Sequence, residues 1–166
     1  MGVESTIVDL TGDAPVLLRP GGVGIERLTE VLGHEPELVG GPPPTRAARA
    51  PGLLAAHYAP KAKVVVADAA SVVAVTGELL AATEGRVGVL APTVTDGLAP
   101  QVVELEPAGG PEEYARLLYA RLRQADRLQI EVLVCVPPPA RGVGVAVRDR
   151  LARAAASKAP PSPQPD

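Results

Sequence analysis

A run of glycine and proline divides this chain into two parts and restricts its fold more than any other feature. Residues 40–44 read Gly-Gly-Pro-Pro-Pro. Proline lacks a backbone N–H and has a fixed φ, so neither a helix nor a central strand can pass through this run. Pro-rich segments are extended and semi-rigid. We therefore predict an extended linker over residues 34–61, between an N-terminal piece, residues 1–33, and a larger piece, residues 62–157. The Pro-rich tail, residues 158–166, is predicted to be disordered.

The larger piece alternates between strand and helix patterns. Its core must be built from Val, Leu, Ala and Ile, because the chain has no Phe or Trp and only three Tyr. Such side chains suit strands that are buried on both faces. Strands are predicted at 64–66, 87–90, 102–105 and 130–136, and helices at 72–80 (with Gly85 as its stop), 111–127 and 143–156. This order predicts an α/β fold, a Rossmann-like three-layer sandwich with a mainly parallel sheet.

The N-terminal piece has the pattern of a hairpin followed by a short helix. Strands at 6–10 and 15–19 flank a turn, and Ile25, Leu28 and Leu32 then recur at helical spacing before Gly33. A hairpin and one helix cannot bury a core of their own. We therefore expect residues 1–33 to be the C-terminal remnant of another domain.

Charge and cysteine content narrow the function classes. The net charge is −3 and the pI is about 5.4, which argues against direct nucleic-acid binding. No apolar run approaches the roughly 18 residues of a membrane span. The single cysteine, Cys135, lies in an apolar strand, so we predict a buried structural thiol in a reducing cytoplasm. The two histidines, His34 and His57, form no metal-ligand pattern.

Two polar side chains at the predicted hairpin end could carry chemistry. Ser5 precedes the first strand, and Arg19 ends the second, just before Pro20-Gly21. A hydroxyl beside a guanidinium suits a small carboxylate or phosphate, and we expect an exposed rim site. The alternative is an ordinary strand-end serine and a solvated arginine. Farther on, Gly142-x-Gly144 lacks the third glycine of a dinucleotide fingerprint, which favours tight helix–strand packing.

Three motifs in order resemble one family. Residues 2–9 with 18–21 look like the end of a YrdC-like catalytic domain. Pro51-Gly52 and residues 57–60, which read His-Tyr-Ala-Pro, resemble the interdomain linker of the long two-domain threonylcarbamoyl-AMP synthases. Residues 142–146 and Arg150-Leu151 are similar to the closing motif of their C-terminal domain. The resemblance implies that this chain is the C-terminal half of such a synthase.

The resemblance also implies an activity. The family converts L-threonine, bicarbonate and ATP, with Mg²⁺, into threonylcarbamoyl-AMP and pyrophosphate, and a downstream tRNA threonylcarbamoyl transferase complex uses the product. By family position, Ser5 binds L-threonine, Arg19 binds ATP, and His57 and Tyr58 of the linker close over the active site as a lid. The family's Lys-x-Arg nucleotide motif belongs upstream of Met1. The resemblance thus assigns no catalytic residue to this chain, and no Mg²⁺ to this half alone.

Two other interpretations of the chain's function are compatible with its sequence. The α/β piece could be a noncatalytic small-ligand-binding or regulatory module, with its ligand at the carboxyl ends of the strands. The chain could also be a truncated gene product that has no function of its own.

Overall fold

The computed structural model describes residues 3–38, here called the N-terminal segment, and residues 60–157, here called the C-terminal segment. The N-terminal segment contains three short strands and one helix: β1 (Ile7–Asp9), β2 (Val16–Arg19), α1 (Ile25–Leu32) and β3 (Glu37–Leu38). The C-terminal segment contains four strands and three helices: β4 (Lys63–Val66), α2 (Val72–Ala82), β5 (Arg86–Leu90), β6 (Val103–Glu104), α3 (Pro111–Arg127), β7 (Ile130–Cys135) and α4 (Gly144–Ala156).

The N-terminal segment forms the predicted hairpin and helix. Strands β1 and β2 pair antiparallel, and the Asp9 carboxylate accepts hydrogen bonds from the Thr11 backbone (2.9 Å) and hydroxyl (2.6 Å) in the turn between them. Helix α1 ends as predicted at Gly33, whose φ of 79° is in the left-handed region and whose N–H donates to Thr29 O at 2.9 Å. Glycine adopts this conformation without the steric cost that a Cβ imposes.

One strand was not predicted. Strand β3 lies inside the predicted linker and pairs in parallel with Val16 and Leu17 of β2. The Glu37 N–H also donates to Pro15 O at 3.1 Å. Two exposed residues show no periodicity in sequence, so only their backbone pairing reveals this strand.

The C-terminal segment confirms the predicted α/β fold. Its four strands form a parallel sheet in the order β4-β7-β5-β6. Side chains of successive residues point to opposite faces of a strand, and here they enter two separate cores. Leu133 and Cys135 of β7 join the core of α3 and α4, whereas Val134 and Val136 join the core of α2. Helices therefore cover both faces of the sheet, and the segment has three layers: α2, the sheet, and α3 with α4.

Two helix boundaries show where sequence reasoning succeeded and failed. Pro111 occupies the first turn of α3, as predicted, because a missing N–H costs nothing there. The prediction that Gly85 stops α2 was wrong, since the helix ends at Ala82 and Thr83 is already extended. A Cβ on Gly85 would lie 2.8 Å from the Cβ of Glu131. Gly85 is therefore a position of close packing against β7.

Candidate functional site

The structure brings Ser5 and Arg19 together, as the hairpin prediction requires. The Arg19 Nε donates a hydrogen bond to the backbone oxygen of Ser5 at 3.0 Å. Ser5 is exposed, but Arg19 is only 8 % exposed, so the expectation of an exposed site was wrong for Arg19, and so was the alternative of a solvated arginine. Its guanidinium instead lies against the Ser5 carbonyl, just before β1. We call these two residues the hairpin-end pair.

The turn after β2 packs tightly on the stretch of chain that carries Ser5, just before β1. A Cβ on Gly21 would collide with backbone atoms of Glu4, Ser5 and Thr6, so this position requires glycine. The Gly22 N–H donates to Glu4 O at 3.2 Å. The Thr6 hydroxyl donates to Val23 O at 3.0 Å and accepts from Val23 N at 2.9 Å. Pro20-Gly21 directly follows β2, and the glycine allows this close approach.

Two helices of the C-terminal segment contact residues beside the hairpin-end pair. The Glu4 carboxylate accepts hydrogen bonds from Arg150 Nε of α4, at 2.5 Å, and from the Tyr119 hydroxyl of α3, at 3.0 Å. Arg150 is 8 % exposed; its Nη2 lies 3.4 Å from Pro20 O, and its Nη1 pairs with Asp149. We call Glu4, Tyr119, Asp149 and Arg150 the Glu4 network. Sequence reasoning missed it, because 146 residues separate Glu4 from Arg150.

The pKa values of the Glu4 network reflect its ion pair. Burial by itself would raise the pKa of Glu4, but the Arg150 hydrogen bond and charge outweigh burial and hold that pKa below its ordinary value. Burial would likewise lower the pKa of Arg150, and Glu4 raises it instead. Burial and the Glu4 carboxylate raise the pKa of Tyr119 to about 12. At neutral pH the network therefore holds a charged carboxylate, a charged guanidinium and a neutral phenol.

A second contact joins the two segments at the start of α4. The Gly142 N–H donates to both carboxylate oxygens of Glu26, at 2.9 and 3.2 Å, which lowers the pKa of Glu26. A Cβ on Gly24 would lie 2.9 Å from the Gly142 Cα. Gly144 lies directly against Pro139 O. Gly144 thus serves tight packing, as predicted. Gly142 has open space where a Cβ would lie, and its φ of 53° is in the left-handed region that favours glycine.

The carboxyl ends of β5 and β7 form a cleft of about 520 Å³. It lies where the alternative interpretation expects a small ligand, outside the ends of parallel strands. Its wall is mostly Val, Ala and Pro, with a few polar side chains: Thr93, Thr95, Asp96 and Arg148. The Arg148 Nη1 donates to Pro138 O at 2.8 Å. We call this space the carboxyl-edge cleft.

The structure also locates Cys135, whereas the two predicted lid residues lie outside the residues that it describes. Cys135 is fully buried, as predicted, and burial raises its pKa to about 12. His57 and Tyr58 lie outside the described residues. Within residues 3–38 and 60–157, no three His, Cys, Asp or Glu side chains are grouped as metal ligands. Nor does any helix in these ranges have the length and apolarity to cross a membrane.

Comparisons with known proteins identify the family. The family model described as threonylcarbamoyl-AMP synthase, C-terminal domain, matches residues 23–156. Threonylcarbamoyl-AMP synthase of Pyrococcus abyssi (strain GE5 / Orsay) is 39% identical over 162 residues, covering 93% of this chain and 46% of the relative. Threonylcarbamoyl-AMP synthase of Bacillus subtilis (strain 168) is 32% identical over 162 residues, covering 95% of this chain and 46% of the relative. The chain thus spans about half the length of the curated relatives it matches.

Solved structures agree with the sequence comparisons. The crystal structure of P. abyssi Sua5 complexed with L-threonine matches with a TM-score of 0.77 and 34% identity, over 93% of this chain and 46% of that chain. A P. abyssi Sua5 variant also matches, with a TM-score of 0.75 and 33% identity, over 93% of this chain and 45% of that chain. In this variant an adjacent histidine and tyrosine are replaced by alanine. The chain therefore belongs to the threonylcarbamoyl-AMP synthase family and contains the family's C-terminal domain.

Proposed function

We propose that this chain acts as the C-terminal half of a threonylcarbamoyl-AMP synthase, a nucleotidyltransferase of the cytoplasm. The reaction joins L-threonine, bicarbonate and ATP, with Mg²⁺ on the nucleotide, into threonylcarbamoyl-AMP and pyrophosphate. The product then passes to a tRNA threonylcarbamoyl transferase complex. Family membership supports the proposal, and so does the relative that was crystallised with L-threonine. The observation in this chain that carries it is the contact between Ser5 and Arg19.

The hairpin-end pair has the chemistry for this role. Ser5 is exposed and offers a hydroxyl that can hydrogen-bond the carboxylate or hydroxyl of L-threonine. Arg19 supplies a planar guanidinium, which matches the geometry of phosphate oxygens. Its Nε is oriented by the Ser5 carbonyl, so the group is preorganised and loses little side-chain entropy on binding. The pair would contribute binding and orientation, while other catalytic groups come from the rest of the catalytic domain.

The first test is the activity of the chain alone. We expect no threonylcarbamoyl-AMP. The triphosphate of ATP needs several cationic or amide donors, and Arg19 is the one residue of this chain that we propose as such a donor. Pyrophosphate release and product formation from ATP, L-threonine and bicarbonate would be measured. A polypeptide that also contains the complete catalytic domain is the positive control. Turnover by the chain alone at the rate of that control would contradict the proposal.

A second test concerns Arg19 in the polypeptide with the complete catalytic domain. Arg19→Ala should raise the KM for ATP by about ten- to a hundredfold, the effect of losing one charge-assisted phosphate contact. Because Arg19 is buried, Arg19→Lys is needed as a milder change, and melting temperatures must accompany the kinetics. Arg27→Ala is the matched control, since that arginine is exposed and pairs only locally with Glu30. An unchanged KM for ATP in both Arg19 variants removes Arg19 from the nucleotide site.

We also propose that His57 and Tyr58 belong to a lid. Pro51 and Pro60 bracket this stretch and restrict its backbone, so it can move as a semi-rigid flap. The same two residue types, adjacent in sequence, were replaced together in a crystallised P. abyssi relative. Tyr58→Ala should reduce product formation and leave the melting temperature unchanged, because a lid excludes water only during turnover. A lower melting temperature with normal turnover would make Tyr58 an anchor instead.

The carboxyl-edge cleft favours a second candidate function, a small-ligand-binding or regulatory module. Its apolar wall and Arg148 suit a small carboxylate with an aliphatic body. Titration of the chain with isovalerate, followed by the NMR shifts of the Thr93 and Thr95 amides, tests this function. Saturable shifts that Arg148→Ala abolishes would support it. Shifts absent at millimolar isovalerate would exclude that ligand class.

A further inference from the structure

We propose that Arg150 is a positioning residue for the substrate site, so that helix α4 of the C-terminal segment holds the hairpin-end pair in its working geometry. This inference rests on the proposed function, because it takes Ser5 and Arg19 as substrate contacts. It goes beyond that function in giving the C-terminal segment a direct part in the site.

The contacts of Arg150 converge on both sides of the pair. Its Nε binds the carboxylate of Glu4, the residue directly before Ser5, at 2.5 Å. Its Nη2 lies 3.4 Å from the carbonyl oxygen of Pro20, the residue directly after Arg19. The planar guanidinium therefore fixes two chain positions at once, and each is one peptide bond away from a member of the pair. A lysine has no such fork of donors.

Neighbouring contacts make the arrangement rigid. The Tyr119 hydroxyl donates to the same Glu4 oxygen that Arg150 binds, at 3.0 Å. Glu4 O in turn accepts the Gly22 N–H, so this one residue ties α3, α4 and the turn after β2 together. Asp149 pairs with Arg150 and also with Arg153, at 2.9 Å, which anchors the guanidinium on α4. The stretch of chain that leads to Ser5, ahead of β1, is thus held from three directions.

Stability alone gives little reason for this arrangement. A buried ion pair often stabilises a protein no more than apolar residues of the same volume do, because both charges must be desolvated. The two segments already have another contact, between Glu26 and the Gly142 N–H. Val3 also joins the core of α3 and α4. What a guanidinium adds is directional hydrogen bonding beside the substrate contacts, where a displacement of about 1 Å can cost up to about a hundredfold in rate.

The test compares two ways to weaken contact between the segments, in the polypeptide with the complete catalytic domain. Arg150→Lys keeps the charge but loses the fork, and Arg150→Gln loses both. Glu26→Ala is the matched control, because it removes a contact between the segments, with the Gly142 N–H, in which Arg150 takes no part. We expect the KM for L-threonine to rise by about ten- to a hundredfold in Arg150→Gln and less in Arg150→Lys, with no change in Glu26→Ala. We expect a lower melting temperature in all three variants, because each loses a contact between the segments, so the KM separates positioning from stability.

A local readout in the chain itself keeps the test independent of activity. Hydrogen exchange should speed up at the Gly22 and Val23 amides in Arg150→Lys, because their acceptors belong to Glu4 and Thr6, in the stretch of chain that Arg150 holds. The Gly33 amide, which donates to Thr29 O at the end of α1, is the internal control. A parent polypeptide that makes no threonylcarbamoyl-AMP would contradict the proposed function. An active parent whose Arg150 variants match Glu26→Ala in threonine KM and amide exchange would overturn this inference.

Discussion

The thiol of Cys135 shows how burial sets reactivity at the scale of one residue. Its side chain is fully buried in the parallel sheet, and burial raises its pKa to about 12. The thiolate is the reactive form, so the native chain should not react with Ellman's reagent at pH 8. One thiol per chain should react after denaturation, since the sequence has a single cysteine. Rapid reaction of the native protein would show that β7 opens readily or lies elsewhere.

Glu4 gives the chain a pH-dependent contribution to stability. Its pKa is lower in the folded chain, because Arg150 outweighs the effect of burial. The contribution is therefore fully present above the ordinary glutamate pKa of about 4.3 and is lost as pH falls through the lowered value. Glu4→Gln should reduce the free energy of unfolding by about 1–3 kcal/mol at pH 7. Thermal melts from pH 7 to pH 3 should show the two proteins converging in acid, and a constant difference would contradict the assignment.

At the scale of an element, we predict opposite effects of alanine at two glycines in helices of the C-terminal segment. Gly144 begins α4 against Pro139 O, and a Cβ there meets backbone, so Gly144→Ala should cost about 1–3 kcal/mol. Gly77 lies exposed inside α2 with open space around it, so Gly77→Ala should stabilise by up to about 1 kcal/mol. Urea unfolding of both variants measures the difference. A Gly144→Ala variant as stable as the parent would contradict the packing of α4, and a destabilised Gly77→Ala variant would contradict the open space around Gly77.

At the scale of the whole molecule, residues 60–157 should fold without the N-terminal segment. Both hydrophobic cores draw their buried members from this range, apart from Val3. The fragment should include residues 60 and 61, because the Lys61 and Ala62 amides donate to the Asp126 carboxylate, at 2.8 and 3.3 Å. We expect one sharp thermal transition at a lower temperature than for the whole chain, since Arg150 loses Glu4. A broad transition, or an insoluble fragment, would place the domain boundary elsewhere.

The sequence predicted the elements well because their signals are local. Continuous Val and Leu runs indicated the buried strands, and Pro111 and Gly33 correctly marked a helix start and a helix end. Strand β3 was missed because two exposed residues have no pattern, and Gly85 was misassigned because its partner, Glu131, lies on another strand. For the candidate site, the motifs indicated Ser5 and Arg19. The burial of Arg19 depends on the chain around Ser5, 14 positions earlier, so it could not be predicted from one position.

The sequence by itself determined the α/β class and the family, because periodicity and motifs are properties of neighbouring residues. Only the tertiary structure decided the strand order β4-β7-β5-β6, and it alone paired Glu4 with Arg150. A hydrogen bond between residues 146 positions apart leaves no periodic trace in one sequence. It forms only after the sheet and its helices have packed, when the surrounding contacts bring a carboxylate and a guanidinium within 2.5 Å.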